Sequence, residues 1–174
     1  TPDTRDLSCP KLRVYESSQH NPPVLLNSKT LSQDVSLLNS AELLSISTDD
    51  KQDVHLLSYG IGSFISCLTA RYQLAYLLAV RDKLGERCTQ CCIYDPVFSD
   101  HEKLVLGLYN CQVMADNEEG KHKCIVPTVA FLPHCGKALY NNLLWRNLAT
   151  DKSEGLAQLV LIGNSFSNML ERTP

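Results

Sequence analysis

The sequence predicts an α/β fold, a Rossmann-like doubly wound parallel sheet of about five strands with helices on both faces. Five short apolar runs alternate with helical patterns between residues 54 and 162. Most of these runs are continuously apolar, which a strand needs when helices cover both faces of its sheet. The order strand, helix, strand favours parallel strands joined by right-handed crossovers. The length of 174 residues suits one domain with one substantial core.

The five apolar runs define the predicted strands. They cover residues 54–59, 91–94, 111–114, 128–132 and 159–162. Helices are predicted over about 63–84, 99–109 and 137–148. The second helix begins with Ser99 and Glu102 at the spacing of a capping box, and burial is the expected role of Trp145 in the third. The connection 115–127 is barely long enough for a crossover helix and is the weakest part of this prediction.

The chain before the first predicted strand separates into two parts. Residues 1–33 are polar, contain two adjacent prolines and predict an irregular arm with one short strand at 24–26. From 34 to 44, apolar residues recur at three- and four-residue spacing, which predicts a short amphipathic helix lying on the domain. A single Rossmann-like domain is therefore expected to span residues 34–174.

Composition and charge argue against several classes of partner. The hydrophobic fraction of 44% and the charged fraction of 20% are those of an ordinary globular protein. A net charge of −3 gives no electrostatic basis for binding nucleic acid or an anionic membrane. No apolar run reaches the roughly 18 residues of a membrane span. Several of the eight cysteines fall inside predicted strands or helices, which indicates reduced, buried thiols and a cytoplasmic or nuclear location.

The strongest local signal is the turn after the first strand, where Tyr59 is followed by Gly60-Ile61-Gly62-Ser63 and a long predicted helix. Glycine backbone lets a phosphate or carboxylate approach closely, and a helix N-terminus presents free N–H groups. The alternative is that the glycines only form a tight turn. The third glycine of a dinucleotide fingerprint is missing, because Ile65 stands in its place. The candidate ligand-binding residues of this turn are Tyr59, Gly60, Gly62 and Ser63.

Asp95 follows the second predicted strand and immediately precedes Pro96. In doubly wound folds, an acidic side chain at this place accepts hydrogen bonds from ribose hydroxyls. Pro96 disfavours helical geometry at Asp95 and so fixes the carboxylate at the end of the strand. The alternative is that Asp95 caps the loop that follows. Taken together with Gly60 and Gly62, it favours ligand binding.

Polar residues also follow the fourth and fifth predicted strands, at the same expected edge of the sheet. His134 is a candidate general base, metal ligand or axial haem ligand, and Cys135 is a second candidate haem ligand. A histidine at the start of a helix more often caps it or bonds to the backbone. Asn164 and Ser165 follow the fifth strand, where they either contact a ligand or satisfy the backbone of the loop.

Motifs for metal binding and catalysis are weak or missing. The segment 88–92 resembles half of a zinc site, but Cys111 and Cys124 do not form the second pair that zinc needs. The sequence also lacks a nucleophile elbow, a phosphate-binding loop and a His-Glu-x-x-His motif. We therefore expect no metal site and favour binding over catalysis, while the question of enzyme activity stays open.

Several motifs agree in order with one known family. They lie at 59–64, 71–74, 94–99, 102, 127–128, 132–135, 139–147 and 162–166. In these stretches the chain resembles the sensitivity-to-red-light-reduced domain family of eukaryotes, in its animal type, over about residues 54–168. The resemblance implies a regulatory role, since members are tied to clock function and light signalling in plants. In animals they are tied to haem biosynthesis and clock-gene expression. The resemblance implies no particular reaction.

Three functional hypotheses follow. The first is a non-enzymatic regulator that binds a small ligand, such as haem or a nucleotide, at the C-terminal edge of its sheet. The second is a methyltransferase-like or dinucleotide-dependent enzyme, in which Gly60, Gly62 and Asp95 hold S-adenosylmethionine or NAD. The third is an interaction module with an empty pocket, which binds regulatory protein partners.

Overall fold

The computed structural model describes residues 13–16, 52–148 and 154–171, which form a six-stranded sheet with helices packed against it. The strands are β1 Arg13–Glu16, β2 Val54–Tyr59, β3 Cys88–Tyr94, β4 Gln112–Val113, β5 Thr128–Leu132 and β6 Leu159–Gly163. The helices are α1 Leu68–Leu84, α2 Asp100–Leu108, α3 Lys137–Leu148, α4 Glu154–Ala157 and α5 Phe166–Glu171. A 3-10 turn, Gly85–Arg87, joins α1 to β3.

Every neighbouring pair of strands is parallel, and the order across the sheet is β1-β6-β5-β2-β3-β4. From β2 the chain moves outward through β3 and β4. It then returns to place β5 on the other side of β2, with β6 beyond it. This reversal is the doubly wound arrangement, so the predicted Rossmann-like fold is confirmed. The C-terminal ends of β2 and β5 flank the reversal, where ligand sites of such sheets commonly lie.

Helices cover both faces of the sheet, as predicted. On one face, Leu77 of α1 and Leu56 of β2 belong to the same buried apolar cluster. On the other face, Leu143 of α3 and Leu132 of β5 belong to a second cluster. Burial on both sides explains why the strands read as continuous apolar runs. Within the described ranges, no helix is long and apolar enough to cross a membrane.

The first strand differs from the sequence prediction. Arg13–Glu16 lies in the segment expected to be an irregular arm, yet it pairs with β6 and places Val14 beside Leu161. It extends the sheet from about five strands to six. Because backbone hydrogen bonds to a sheet edge need no particular side chains, the local sequence carried little signal. The predicted strand 24–26 and helix 34–44 lie outside the described residues.

Two features of the C-terminal half also bear on the predictions. The strand expected at 111–114 is confirmed only for Gln112–Val113, and residues 114–127 then reach β5 without a helix or strand. The third connection is therefore a loop. Trp145 is 67% exposed on α3, contrary to its expected burial, because the helix turns Leu143 and Asn147 toward the core instead.

Candidate functional site

The turn after β2 is built from two glycines in left-handed backbone conformations. Gly60 has a φ angle of 72° and Gly62 a φ angle of 80°, which residues with a side chain adopt only under strain. A Cβ atom on Gly60 would lie 2.6 Å from Sγ of Cys135, so the turn also packs closely against the loop after β5. Both glycines thus have a structural role here, and a contact with a ligand remains a prediction.

Helix α1 begins at Leu68 and not at Ser63, where the sequence predicted it. Residues 64–66 form a separate turn, and extended Cys67 precedes the helix. The free N–H groups of the helix therefore lie several residues beyond Gly62. Ala70, in the first turn of α1, still packs against this turn, 3.5 Å from the position of a Cβ atom on Gly62. The predicted helix start is therefore wrong, while anion binding at the glycine turn stays a prediction.

Asp95, predicted as a ribose-binding residue, uses both carboxylate oxygens within the protein. The N–H of Gly62 donates to Oδ2 at 2.7 Å, and the N–H of Val97 donates to Oδ1 at 3.0 Å. The side chain is only 9% exposed. Asp95 therefore ties the glycine turn to the end of β3, and a ribose would have to share its remaining lone pairs.

Glu102 completes this support for the glycine turn, although it was predicted only as a helix cap. Its Oε2 accepts hydrogen bonds from the N–H and hydroxyl of Ser99, both at 2.8 Å, which confirms the capping box. Its Oε1 accepts the N–H of Ile65 at 3.1 Å, in the turn before α1. Burial raises the pKa of Glu102, but the hydrogen bonds outweigh burial and lower it to about 2. The contact with Ile65 joins segments 37 residues apart, which no local pattern predicts.

His134 and Cys135 differ in their fitness as ligands. Cys135 is buried, and its thiol donates to the carbonyl of Tyr59 at 3.3 Å. Burial, together with the charge of Asp95, raises the pKa of Cys135 to about 12, so the group does not fit a thiolate ligand of haem. His134 is exposed. Within the described ranges, no group of three His, Cys, Asp or Glu side chains could hold a metal ion.

Asn164 fastens the loop after β6 to the loop after β5. Its Oδ1 accepts the N–H of His134 at 3.1 Å, and its Nδ2 donates to the carbonyl of Cys135 at 3.0 Å. Its own N–H donates to the hydroxyl of Tyr140 at 2.7 Å. Ser165 is buried beside this loop, directly before α5. His134 and Cys135 after β5 thus lie together with Asn164 after β6, as predicted, and hydrogen bonds to one another hold them there.

A cavity of about 380 Å³ opens beside the glycine turn, at the C-terminal ends of β2 and β3. Its lining residues are Tyr59, Gly60, Tyr94, Pro96, Asn117, Glu119, Ala138, Leu139 and Asn142. Only Tyr59 and Gly60 were among the predicted site residues. The other predicted residues lie in the surrounding loops. The loop 114–127 and the start of α3 supply the wall that sequence reasoning missed.

The cavity combines aromatic and polar groups. The rings of Tyr59 and Tyr94 meet edge to face, with centroids 6.4 Å apart. The Tyr59 hydroxyl donates to Oε2 of Glu118 at 3.0 Å, and the same oxygen lies 2.8 Å from Nδ1 of His122. Burial and the neighbouring Glu118 raise the pKa of Tyr59, so it remains a neutral phenol. Nδ2 of Asn142 donates to the backbone of the same loop at 2.8 Å.

Comparison with known proteins gives concordant results. Residues 27–174 match the SRR1 domain. The chain is 46% identical over 120 residues to the SRR1-like protein of Mus musculus, covering 68% of this chain and 47% of that protein. It is 36% identical over 119 residues to the SRR1-like protein of Drosophila melanogaster, covering 68% and 41%. The Arabidopsis thaliana protein Sensitivity to Red Light Reduced 1 is 34% identical over 113 residues, covering 65% and 40%.

The chain therefore spans less than half the length of each of these relatives. No solved structure matches it. The domain match includes all described residues except Arg13–Glu16. By this match, and by its identity to animal and plant relatives, the chain belongs to the SRR1 domain family.

Proposed function

We propose that this domain is a regulatory module that binds a small planar molecule, about the size of a nucleoside, in the cavity beside β2 and β3. The observation that carries the proposal is the pair of tyrosines, Tyr59 and Tyr94, that lines this cavity of about 380 Å³. Ligand pockets typically occupy about 300–1,000 Å³ and present apolar and aromatic walls with a few polar groups. The position near the reversal of strand order supports the same proposal.

The charges around the cavity favour a neutral or cationic ligand over a polyphosphate. Among the described residues that line it, none is Lys or Arg. Glu119, the charged residue of the lining, forms an ion pair with Lys121. Proteins usually hold phosphates with Arg or Lys, which the lining does not offer, although the first turn of α3 brings a helix N-terminus to the wall at Ala138 and Leu139. S-adenosylmethionine, which carries a sulfonium and no phosphate, therefore fits better than NAD or ATP.

The ionisable groups at this edge support binding rather than turnover. A general base works best with a pKa near neutrality and must reach its substrate. The carboxylates of Asp95 and Glu102 are occupied by backbone N–H groups, and the low pKa of Glu102 keeps it ionised. The raised pKa of Cys135 keeps it a thiol.

The regulatory part of the proposal rests on the family. One relative carries the name Sensitivity to Red Light Reduced 1. The resemblance of the motifs implies roles in clock function and in control of haem biosynthesis. A domain of this kind would report a metabolite by binding it and shifting to a conformation that protein partners recognise. We propose that it acts in the cytoplasm or nucleus.

Haem is the second candidate ligand, and one observation favours it. His134 lies two residues after the end of β5 and is exposed, so its imidazole is free to coordinate the iron of haem. Cys135 does not supply a second ligand, for the reason given above. Haemin titration of the protein would then produce a Soret band that His134→Ala abolishes and Cys135→Ala leaves in place.

The proposal is tested by thermal-shift and calorimetric titration with adenosine, S-adenosylmethionine, NAD, ATP and haemin. Ala138→Trp fills the cavity with an indole, while Ala75→Trp adds the same group to an exposed position of α1 and serves as the matched control. We expect adenosine or S-adenosylmethionine to raise the melting temperature of the native protein and of Ala75→Trp. The same ligand should leave the melting temperature of Ala138→Trp unchanged.

Three outcomes would count against this function. Absence of any shift at millimolar ligand would leave an interaction module as the better description. A shift retained in Ala138→Trp would locate the ligand elsewhere. Release of S-adenosylhomocysteine from bound S-adenosylmethionine in the presence of an acceptor would show a methyltransferase, the second hypothesis from the sequence.

A further inference from the structure

Two buried cysteines lie together near the middle of β3 and the start of β4. Cys91 is in β3, Cys111 directly precedes β4, and their sulfur atoms are 3.6 Å apart. The register of the two strands pairs Cys92 with Gln112, so Cys91 and Cys111 are neighbours across the strands. Adjacent strands run about 4.8 Å apart, which falls within the roughly 4.4–6.8 Å between Cα atoms that a disulfide can bridge.

Arg81 gives this pair a positively charged neighbour. From the last turn of α1, its Nη1 lies 3.8 Å from Sγ of Cys111 and also donates to the carbonyl of Tyr109. The hydrogen bond with Cys91 and the charge of Arg81 lower the pKa of Cys111 despite its burial. The same hydrogen bond and burial raise the pKa of Cys91. One sulfur is thus favoured as a thiolate and the other as a thiol.

The other cysteines near β3 do not share this arrangement. Cys92 packs in the apolar cluster on the opposite face of the sheet. Cys88 packs against the same apolar cluster as the pair, but burial raises its pKa and its thiol donates to the carbonyl of Gln90 at 3.6 Å. Cys124 is as buried as Cys111, at 4% exposure each, and burial raises its pKa to about 11. Burial alone therefore does not produce the thiolate character of Cys111.

We propose that Cys91 and Cys111 form a reversible disulfide on exposure to hydrogen peroxide. The Cys111 thiolate attacks one peroxide oxygen, the O–O bond breaks, and the departing hydroxide takes a proton from solvent, which leaves Cys111 as a sulfenic acid. The Cys91 sulfur then attacks the Cys111 sulfur. The S–S bond forms, the S–O bond breaks, and hydroxide leaves with the proton of Cys91 as water. Two thiols and one peroxide give one disulfide and two waters.

The bond would act on the shortest strand that the structure describes. β4 has two residues, and it leads directly into the loop that carries Asn117 and Glu119 of the cavity wall. A disulfide to the longer β3 fastens this edge and closes a loop of the chain, which restricts the unfolded state. The oxidised protein should therefore melt at a higher temperature than the reduced protein. This inference does not depend on the ligand proposed above.

The test uses the native chain. After brief treatment with hydrogen peroxide, free thiols are blocked with N-ethylmaleimide under denaturing conditions, and the protein is digested with trypsin without reduction. We expect peptide 88–103 linked to peptide 104–121, lighter than their sum by two hydrogen atoms and separated by dithiothreitol. Fragmentation must assign the link to Cys91, because Cys88 and Cys92 share the first peptide.

Variants identify the role of each group. Cys111→Ser and Cys91→Ser should each abolish the linked peptide, and Cys124→Ser is the control at equal burial. Arg81→Gln should slow the reaction several-fold, while Arg81→Lys keeps the charge and most of the rate. The proposal would be overturned by a disulfide from Cys111 to Cys88 or Cys92, by the absence of any link between Cys91 and Cys111, or by oxidation of Cys124 as fast as that of Cys111. Mapping in the native protein decides this even where a variant does not fold.

Discussion

Replacement of Glu102 by Gln should destabilise the domain in a way that depends on pH. The carboxylate is 1% exposed and accepts three hydrogen bonds, from both donors of Ser99 and from the N–H of Ile65. Its pKa falls from 4.5 to about 2 on folding. That difference corresponds to about 3 kcal/mol, which solvent near the exposed Ser99 screens to about 2 kcal/mol. The side-chain amide of Gln would also present its own N–H group to the donors of Ser99 and Ile65, so at least one of these hydrogen bonds would be lost.

The direction with pH follows from the lowered pKa. A carboxyl group whose pKa is lower in the folded state stabilises the protein fully above pH 4.5, and this contribution is lost as the pH falls toward 2. Glu102→Gln should therefore cost about 2 kcal/mol near neutral pH, and the difference from the native protein should shrink below about pH 4.

Urea unfolding, monitored by circular dichroism, measures the unfolding free energy at several pH values. The comparison requires that its dependence on urea concentration be the same for all variants. Glu86→Gln changes an exposed carboxylate and is the control, expected to shift the unfolding free energy by less than about 0.5 kcal/mol. The reasoning is refuted if Glu102→Gln lowers the unfolding free energy at neutral pH by no more than the control does. It is also refuted if the loss in unfolding free energy stays constant down to pH 3.

Two further substitutions test the packing around the site. Gly60→Ala should cost about 2 kcal/mol or more in urea unfolding, because of its φ of 72° and the approach to Cys135. Adding Cys135→Ala should recover only the steric part, so full recovery would exclude backbone strain. Asn147→Ala should cost about 2–4 kcal/mol, because the buried amide accepts the N–H of Cys124 at 2.8 Å and donates to two carbonyls. Exposed Asn141→Ala on the same helix should stay within about 0.5 kcal/mol, and equal losses would contradict the assigned role.

Much of the regular structure was predictable because strong local patterns define it. β2, β5 and α3 have the bounds that the sequence predicted. In β2 and β5 an apolar run ends at a turn residue, Gly60 or Pro133, and burial between the two helix layers agrees with the local preference. In α3 the apolar residues recur at helical spacing. The capping box of Ser99 and Glu102 was equally readable, because both partners lie within one helical turn.

The errors lie where distant contacts override local patterns. Phe64 lies inside the helix predicted over about 63–84, but in the structure it precedes α1, and its ring packs edge to face with that of Phe98. Glu102 holds the N–H of Ile65 in that turn, which delays the helix to Leu68. Asn117 in the third connection was missed because a loop without periodicity gives no sign of what it lines.

The motifs that carry the family resemblance contact one another, and this changes what they imply about function. The turn at 59–64 bonds to Asp95 through Gly62, and the motif at 132–135 bonds to Asn164 through His134. Such residues hold the strand ends in place, and six of the nine residues that line the cavity belong to the same motifs. The loop 114–127 adds Asn117 and Glu119 from outside the motifs, so the two roles are separable only there. Substitutions in the motifs should lower ligand affinity and stability together. Asn117→Ala loses one exposed hydrogen bond, from the N–H of Glu119 at 2.9 Å, so it should change ligand affinity while the unfolding free energy shifts by less than about 0.5 kcal/mol.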